Sequence, residues 1–324
     1  MTKKICVIGG GRWGQNHIRT LDQLGNLGGI VETEPKRLKE LLTDFPVRGF
    51  SKVDAALEKG FDGYVVASPA ETHYPIGKKL LEKGCSVLIE KPMTLSSIHS
   101  RELIEIAKQK GARLMVGHLL LFHPAIRKIK EIIESGKIGR LFYIYSNRMN
   151  LGTVRTEENV FWSFAPHDIA VINYLVGEKA HSIEAKGARF IQDQIYDVTM
   201  AQFAYPGNVH AHIYVSWLHP FKEQRLVVVG SRAMIAFDDS SKEKNIFYYD
   251  KYIDWVDQKP VKCEKPDEII DYERKLPLTA ELEYFVANLD HNYTVANGET
   301  GHEVIEILEK VQQIISSDCK GGSA

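Results

Sequence analysis

A glycine-rich segment near the start of the chain has residue types and a spacing that could bind a dinucleotide. Gly9, Gly11 and Gly14 form a Gly-x-Gly-x-x-Gly motif between an apolar run and a helical pattern. Such glycines permit a tight turn and let the backbone approach a pyrophosphate at the N-terminus of the following helix. The motif is a weak signal by itself, and its position between a strand and a helix strengthens it.

A carboxylate follows at the end of the next apolar run. Glu32 occupies this position, and Glu34 lies two residues further on. A carboxylate at the end of the second strand accepts hydrogen bonds from the adenosine ribose and repels a 2'-phosphate. The sequence therefore predicts NAD rather than NADP, with Glu32 as the ribose ligand and Glu34 as the alternative.

Two further segments lie at the ends of predicted strands, where a doubly wound sheet binds its ligands. One contains Ser68, Pro69 and His73, and the other is Glu90-Lys91-Pro92. A residue before proline is held in extended geometry, which suits a side chain directed into the crevice. From spacing alone, Lys91 is equally compatible with an ordinary surface position.

The elements that must position these residues fall into two patterns. Short apolar strands alternate with helices over residues 1–118, which is typical of a doubly wound parallel sheet. Beyond about residue 120, longer strand patterns follow one another, with a hairpin turn at Pro206-Gly207-Asn208. We therefore expect an α/β protein with a Rossmann domain over 1–118 and an α+β domain over 119–324, whose large open sheet is mostly antiparallel. Lys259 to Asp271 is expected to be a loop.

The composition excludes several classes of function. The chain has 41 basic and 42 acidic residues and a net charge of -1, so it has no field to attract nucleic acid or an anionic membrane. We expect neither a membrane-spanning helix nor a secretory signal. The four cysteines are scattered without a Cys-x-x-Cys pair, which favours a reduced cytoplasmic protein.

Two histidines, His210 and His212, alternate with apolar residues along one predicted strand. A His-x-His pair could bind zinc, but no third and fourth ligand lies at a useful spacing. We therefore expect no metal site, and we place both side chains on the polar face of a sheet.

Together these segments resemble the glucose-fructose oxidoreductase/inositol dehydrogenase (Gfo/Idh/MocA) family over essentially the whole chain. The elements that carry the resemblance are Gly9 to Gly14, Ser68-Pro69 with His73, Glu90-Lys91-Pro92, Gly117-His118, Phe122-His123-Pro124 and Ala165-Pro166-His167-Asp168. The resemblance implies an N-terminal Rossmann domain, a C-terminal open sheet that builds the substrate pocket, and a catalytic role for Lys91. It also implies a homodimer or homotetramer, which we expect to form through the open sheet face.

The same resemblance implies that His167 is the acid/base residue, because imidazole titrates near working pH. The alternative is a structural histidine at the start of a helix near Asp168, and we expect Asp168 to cap that helix. Many family members carry an aspartate four residues before the histidine, where this chain has Ser163. A serine cannot act as a carboxylate base, so the proton must pass through His167, Lys91 or water.

These arguments give a set of expected site residues. For the cofactor they are Gly9, Gly11, Arg12, Trp13, Gly14, Glu32, Ser68, Pro69, His73, Glu90 and Lys91. For the substrate they are His118, Arg148, Asn150, Trp162, Ser163 and His167, and the catalytic pair is Lys91 and His167.

The resemblance is strongest to the nucleotide-sugar branch of the family. It implies NAD-dependent oxidation of a sugar hydroxyl, with C3 of a UDP-N-acetylhexosamine as the expected position and a 3-keto sugar as the product. Arg148 and Arg155 would suit a diphosphate, or they could be solvated loop charges. The alternatives are a dehydrogenase of a free sugar or inositol, an enzyme that retains NAD through its cycle, and a non-catalytic NAD(H)-binding sensor.

Overall fold

The computed structural model describes residues 2–318. The first part of the chain forms a six-stranded parallel sheet whose strands are β1 (Ile5–Ile8), β2 (Leu27–Val31), β3 (Arg48–Phe50), β4 (Gly63–Val66), β5 (Ser86–Glu90) and β6 (Arg113–Gly117). Their order in the sheet is β3-β2-β1-β4-β5-β6. The order reverses between β1 and β4, and ligands of such sheets bind at that reversal, beyond the carboxyl ends of the strands.

Helices connect these strands and cover the sheet. They are α1 (Gly14–Gln23), α2 (Pro35–Asp44), α3 (Val53–Lys59), α4 (His73–Glu82) and α5 (Ser97–Lys110), with short 3-10 turns at Ala70–Thr72 and Leu119–Phe122. Every residue of β1 and β4 is buried, which is why these strands appear in the sequence as continuous apolar runs. The predicted Rossmann fold is confirmed; the sequence analysis did not identify β3 and α3.

The second part of the chain begins with α6 (Pro124–Glu134), β7 (Leu141–Met149) and α7 (Val160–Val176). The strands that follow are β8 (Ser182–Ala188), β9 (Val198–Tyr205), β10 (Val209–Ser216), β11 (Glu223–Gly230), β12 (Met234–Asp238), β13 (Ile246–Tyr249), β14 (Lys251–Val256), β15 (Lys259–Glu264) and β16 (Glu268–Ile270). Strand β7 and seven of these strands form one sheet in the order β16-β13-β12-β11-β7-β10-β9-β8, and β14 pairs with β15 separately. Among the described strands β7 to β16, only β7 and β10 pair in parallel, so the mostly antiparallel sheet is confirmed.

The turn between β9 and β10 agrees with the sequence, since Gly207 and Asn208 both adopt positive φ there. The expected loop at Lys259 to Asp271 is wrong, because β15 and β16 occupy most of it. Strand pairing uses backbone groups, and the side chains of an exposed hairpin can remain charged. The charged composition therefore did not reveal these strands.

The prediction of a helix that begins near Asp168 is also wrong. The side chain of Asn159 accepts hydrogen bonds from the amides of Phe161 and Trp162 at 2.9 and 3.1 Å, so Asn159 caps α7. Asp168 lies in the middle of this helix and caps nothing. Pro166 lies inside the helix, and a proline in a helical pattern usually marks a boundary, so the sequence suggested a start that was too late.

The last two helices are α8 (Pro277–Ala287) and α9 (Gly298–Asp318). The chain forms two compact units, one of residues up to 122 together with 275–306, and one of residues 123–274 together with the described residues from 307. The expected division into 1–118 and 119–324 differs, since it assigns α8 to the second domain. In the structure α8 packs against α1, and the amide of Val116 donates to Ala296 O at 2.7 Å.

The described cysteines, Cys6, Cys85 and Cys263, are free thiols. Cys319 and residues 320–324 lie outside the described residues. Within residues 2–318, no helix has the length and apolar character needed to cross a membrane.

Candidate functional site

The glycine-rich turn between β1 and α1 is shaped by close backbone contacts. Gly9 has φ +100°, and a Cβ there would lie 2.8 Å from the backbone of Ala67 and Ser68. A Cβ on Gly14 would lie 2.0 Å from the carbonyl oxygen of Gly9. Gly11 has no heavy atom within 4 Å of its Cβ position, so the turn is open at the position where the motif places a pyrophosphate.

Glu32 lies just beyond β2 and is tied to the same turn. Its carboxylate accepts hydrogen bonds from the amide of Gly10 at 2.8 Å and from the amide of Glu34 at 2.9 Å. Burial opposes its ionisation, but the two amides and the Arg37 guanidinium outweigh burial and hold the pKa of Glu32 below its ordinary range. The result is a fixed anion beside the glycine turn, as ribose recognition requires. Glu34, the alternative ribose ligand, is half-exposed and forms an ion pair with Arg37.

Glu90, at the end of β5, connects the glycine turn to the Glu-Lys-Pro segment. Its Oε1 accepts the indole N–H of Trp13 at 2.6 Å and lies 2.7 Å from Nε2 of His17. Its Oε2 accepts the amide of Lys91 at 3.0 Å. Burial alone would raise the pKa of Glu90, but the hydrogen bonds of His17 and Trp13 lower it. We call these four residues the Glu90 hub.

The predicted cofactor role of Glu90 is therefore indirect. Its side chain is 5% exposed, and its oxygens are occupied by donors of the protein itself. Gly117 packs against it so closely that a Cβ would lie 2.9 Å from the carboxylate. Glu90 can act on a bound ligand only by holding the Trp13 indole and the Lys91 backbone in place.

His73, at the start of α4, also acts through the backbone. Its ring nitrogens lie 2.8 Å from the carbonyl oxygens of Ser68 and Pro92, and its side chain is buried. It therefore joins the two predicted cofactor segments rather than pointing to a ligand. The hydroxyl of Ser68 bonds to Thr72 at 2.6 Å, and the Lys91–Pro92 peptide is cis.

His118, a predicted substrate residue, is 2% exposed. Among the described residues neither of its ring nitrogens has a hydrogen-bond partner. Burial lowers the pKa of His118 to about 4, so the ring is neutral at physiological pH. The structure thus buries the neutral ring of His118.

In the second unit, Asp168 fixes α7 to β7. Its carboxylate accepts Nε and Nη2 of Arg148 at 2.7 and 3.1 Å and the hydroxyl of Ser146 at 2.7 Å. Such a two-pronged pair is both strong and directional. It holds the helix turn that carries His167, the half-buried residue before Asp168.

The Arg148–Asp168 pair also bears on the prediction that Arg148 and Arg155 bind a diphosphate. Two of the three guanidinium nitrogens of Arg148 bind Asp168. Arg155 contacts Glu157 at 3.4 Å and Glu158 at 3.9 Å. Neither geometry supports a cation reserved for a diphosphate, so their assignment to substrate stays a prediction. Of the other predicted substrate residues, Asn150 follows β7 while Trp162 and Ser163 lie in α7.

A polar cluster around Asp239 in this unit was not predicted from the sequence. Lys244 Nζ lies 2.7 Å from its carboxylate, and His123 Nε2 lies 3.5 Å away. His123 Nδ1 accepts the amide of Ala125 at 3.0 Å and thereby caps α6, which leaves the neutral ring's hydrogen on Nε2. Despite burial, the hydrogen bonds of His123 and Lys244 lower the pKa of Asp239 to about 2. The contact between His123 and Asp239 joins distant segments of the chain, so no local sequence pattern indicates this cluster.

His210 and His212 lie on the sheet as expected. His210 is exposed, and His212 stacks on Tyr145 with ring centroids 5.2 Å apart. Across residues 2–318 no group of three or more His, Cys, Asp or Glu side chains is arranged to hold a metal ion.

Comparison with protein-family models gives two matches along the chain. The model described as "Oxidoreductase family, NAD-binding Rossmann fold" matches residues 3–118, and "GFO/IDH/MocA C-terminal domain" matches residues 126–236. The chain belongs to the GFO/IDH/MocA oxidoreductase family. It is an oxidoreductase whose Rossmann domain binds NAD, and the open turn at Gly11 and the anion at Glu32 fit that cofactor.

Individual proteins show how far the similarity extends. The chain is 24% identical to UDP-N-acetylglucosamine 3-dehydrogenase of Acidithiobacillus ferrooxidans over 96% of both chains. The crystal structure of that enzyme superposes with a TM-score of 0.86 over 98% of both chains, at 22% identity. The chain is 27% identical to inositol 2-dehydrogenase of Corynebacterium glutamicum, over 56% of this chain and 57% of that one. An oxidoreductase from Agrobacterium radiobacter, solved with NAD+, L-tartaric acid and magnesium, has a TM-score of 0.81 over 98% and 97% of the two chains at 16% identity.

The contact between Gly14 and Gly9 predicts a strong effect on folding. Gly14→Ala should lower the free energy of unfolding by about 3 kcal/mol, the upper end for over-packing, since a backbone oxygen cannot move aside as a side chain can. Thermal unfolding of the cofactor-free protein measures this. Gly11→Ala is the matched control and should leave Tm nearly unchanged; an equal loss in both variants would contradict the geometry.

The Glu32 carboxylate predicts cofactor discrimination. Glu32→Ser removes the anion, so the variant should bind NADH more weakly and should discriminate less against NADPH. Equilibrium titration with the two reduced cofactors measures both effects. Glu34→Gln, which alters a half-exposed carboxylate bound to Arg37, should keep the original preference, and equal affinity of the unmodified protein for NADH and NADPH would refute the assignment.

Proposed function

We propose that this enzyme oxidises the C3 hydroxyl of a UDP-linked N-acetylhexosamine to the 3-keto sugar. The observation that carries the proposal is the similarity to UDP-N-acetylglucosamine 3-dehydrogenase, which covers 96% of each chain. The match to inositol 2-dehydrogenase covers 56% of this chain. The similarity to the UDP-N-acetylglucosamine enzyme covers both units, so it bears on the substrate as well as the cofactor. It therefore favours a nucleotide sugar over inositol as the substrate.

The reaction separates a hydride from a proton. When bound, NAD supplies the acceptor for the hydride of the carbon that bears the hydroxyl, so the products are a ketone, NADH and one proton. We assign removal of the hydroxyl proton to His167, and we assign to Lys91 the polarisation of the oxygen or the relay of the proton. General acid–base help of this kind contributes roughly 10²–10⁴ in rate.

Ser163 supports a substrate other than free inositol. It lies in α7 one turn before His167, at the position where many family members carry an aspartate. Without that carboxylate, other contacts must orient the sugar ring. A nucleotide offers remote binding energy that can align the sugar for hydride transfer. The proposal does not depend on Arg148 or Arg155, since both bind carboxylates of their own unit.

We further propose a homodimer or homotetramer that forms through the open face of the large sheet. Tyr143 and Met200 are 40% and 54% exposed on strands of this sheet, and His210 lies beside Tyr143 in the strand register. An exposed apolar patch of this kind is typical of a protein contact. The cytoplasmic location expected from the sequence also stays a prediction.

The substrate proposal predicts a clear order of turnover. Formation of NADH should be faster with UDP-N-acetylglucosamine than with N-acetylglucosamine or myo-inositol, at equal substrate concentrations. A preference for either free compound would overturn the nucleotide-sugar assignment and leave the dehydrogenase standing. NADH binding without turnover of any hydroxylated sugar would favour the sensor alternative.

The catalytic assignments predict a separation of chemistry from cofactor binding. Lys91→Ala and His167→Ala should each lower kcat by about 10²–10⁴, while the affinity for NADH stays near that of the unmodified enzyme. Lys83→Ala and His291→Ala, which remove an exposed lysine and an exposed histidine, are the controls. If His167→Ala retained most of its turnover at neutral pH, His167 would not be the base.

A further inference from the structure

Five residues of the NAD-binding unit hold buried polar atoms that lack hydrogen-bond partners within the described part of the chain: His17, Arg113, His118, Glu281 and Tyr293. Three of them lie near Glu90, with unpartnered atoms at His17 Nδ1, at both ring nitrogens of His118 and at both carboxylate oxygens of Glu281. His17 and Glu281 are 0% exposed, and His118 is 2% exposed. Buried polar groups are nearly always hydrogen-bonded, so such a concentration in one interior calls for a physical account.

His17 is part of the Glu90 hub, and His118 and Glu281 lie on elements next to it. Glu281 lies in α8, which packs against α1 and against the 3-10 turn at Leu119–Phe122. Helix α1 contributes His17, which bonds directly to Glu90. His118 directly precedes the 3-10 turn, and the turn itself has no titratable side chain. Glu281 is close enough to Glu90 for the two charges to interact.

Glu90 and Glu281 differ in the hydrogen bonds that they receive. Glu90 receives hydrogen bonds from Trp13, His17 and the Lys91 amide, so its negative charge is stabilised. Glu281 receives none from the described residues, and an ionised carboxylate without donors in a protein interior is very costly. Two carboxylates that share such an interior do not both ionise at neutral pH.

We propose that Glu281 is a positioning residue that keeps its proton beside Glu90, and that loss of this proton disrupts the hub that holds Trp13 and Lys91. An anion at Glu281 would repel the Glu90 carboxylate or force it to take up the proton. Repulsion would displace the Glu90 carboxylate from the Trp13 indole and the Lys91 amide, and protonation would make it a weaker acceptor for both. The glycine turn and the Lys91 segment would then lose their connection. The inference rests on the NAD-binding unit and is independent of the substrate proposed above.

A stability argument gives the first expected result. Burial and the charge of Glu90 raise the pKa of Glu281 well above its ordinary value. Below about pH 4 the carboxyl is protonated in both the folded and the unfolded chain, so it costs no stability there. As the pH rises, the unfolded chain releases this proton and the folded protein does not, so stability falls. Glu281→Gln keeps the shape of the neutral acid and should therefore raise Tm, by an amount that grows from acid to alkaline pH.

Cofactor binding gives a readout that a merely structural acid would not alter. We expect the affinity of the unmodified protein for NADH to fall at least tenfold on the alkaline side, as Glu281 ionises. Glu281→Gln should retain its affinity over the same pH range. Glu283→Gln removes a half-exposed carboxylate of the same helix, which is bound to Lys275, and this variant should follow the unmodified protein.

The experiment combines three measurements on the full chain, with NADH as the only ligand. They are Tm against pH, NADH affinity against pH, and the infrared carbonyl band of a protonated carboxyl at neutral pH. The band should be present in the unmodified protein and diminished in Glu281→Gln, which tests the proton even if the variant folds poorly. The proposal would be overturned if the infrared band did not differ between the two proteins. It would also be overturned if the NADH affinity of the unmodified protein did not fall at alkaline pH, or if Glu281→Gln showed the same fall.

Discussion

The arrangement of the NAD-binding unit depends on one buried carboxylate. Glu90 ends β5 and accepts hydrogen bonds from Trp13 in the glycine turn, from His17 in α1 and from the Lys91 amide. A buried anion is tolerated only when donors of this kind replace its water. The need to satisfy Glu90 therefore brings together the turn that meets the pyrophosphate and the lysine assigned to catalysis. His73 makes a second connection, between the carbonyls of Ser68 and Pro92.

The sequence could predict what is local or periodic. Alternation of apolar runs and helices gave the Rossmann sheet, and Pro206-Gly207-Asn208 gave the hairpin between β9 and β10. Errors arose where local rules compete. Pro166 suggested a helix boundary that the cap at Asn159 overrides, and the charged residues from Lys259 onward concealed strands that pair through their backbones. The return of α8 to the first unit is a long-range packing event, so no window of sequence could show it.

The candidate site also has features that the sequence could predict and features that it could not. Residue types and spacing identified Glu32, Glu90 and His73, but they could not show whether a side chain meets a ligand or another part of the protein. Glu90 and His73 are occupied by partners far along the chain. Asp168 was expected to cap a helix and instead binds Arg148 on β7. Which donors reach a carboxylate is decided by tertiary contacts, and these have no sequence period.

Three glutamates of one unit show how those contacts set the chemistry of a single residue type. Glu32 has two amide donors and an open turn beside it, so it stays ionised and can accept a ligand's hydroxyl. Glu90 is ionised but enclosed, and its acceptor capacity serves the protein itself. Glu281 has no donor within the described chain, and the charge at Glu90 opposes its own. Because a neutral apolar residue would fill the position of Glu281 at less cost, its presence is explained by the hub that it adjoins rather than by the stability of the core.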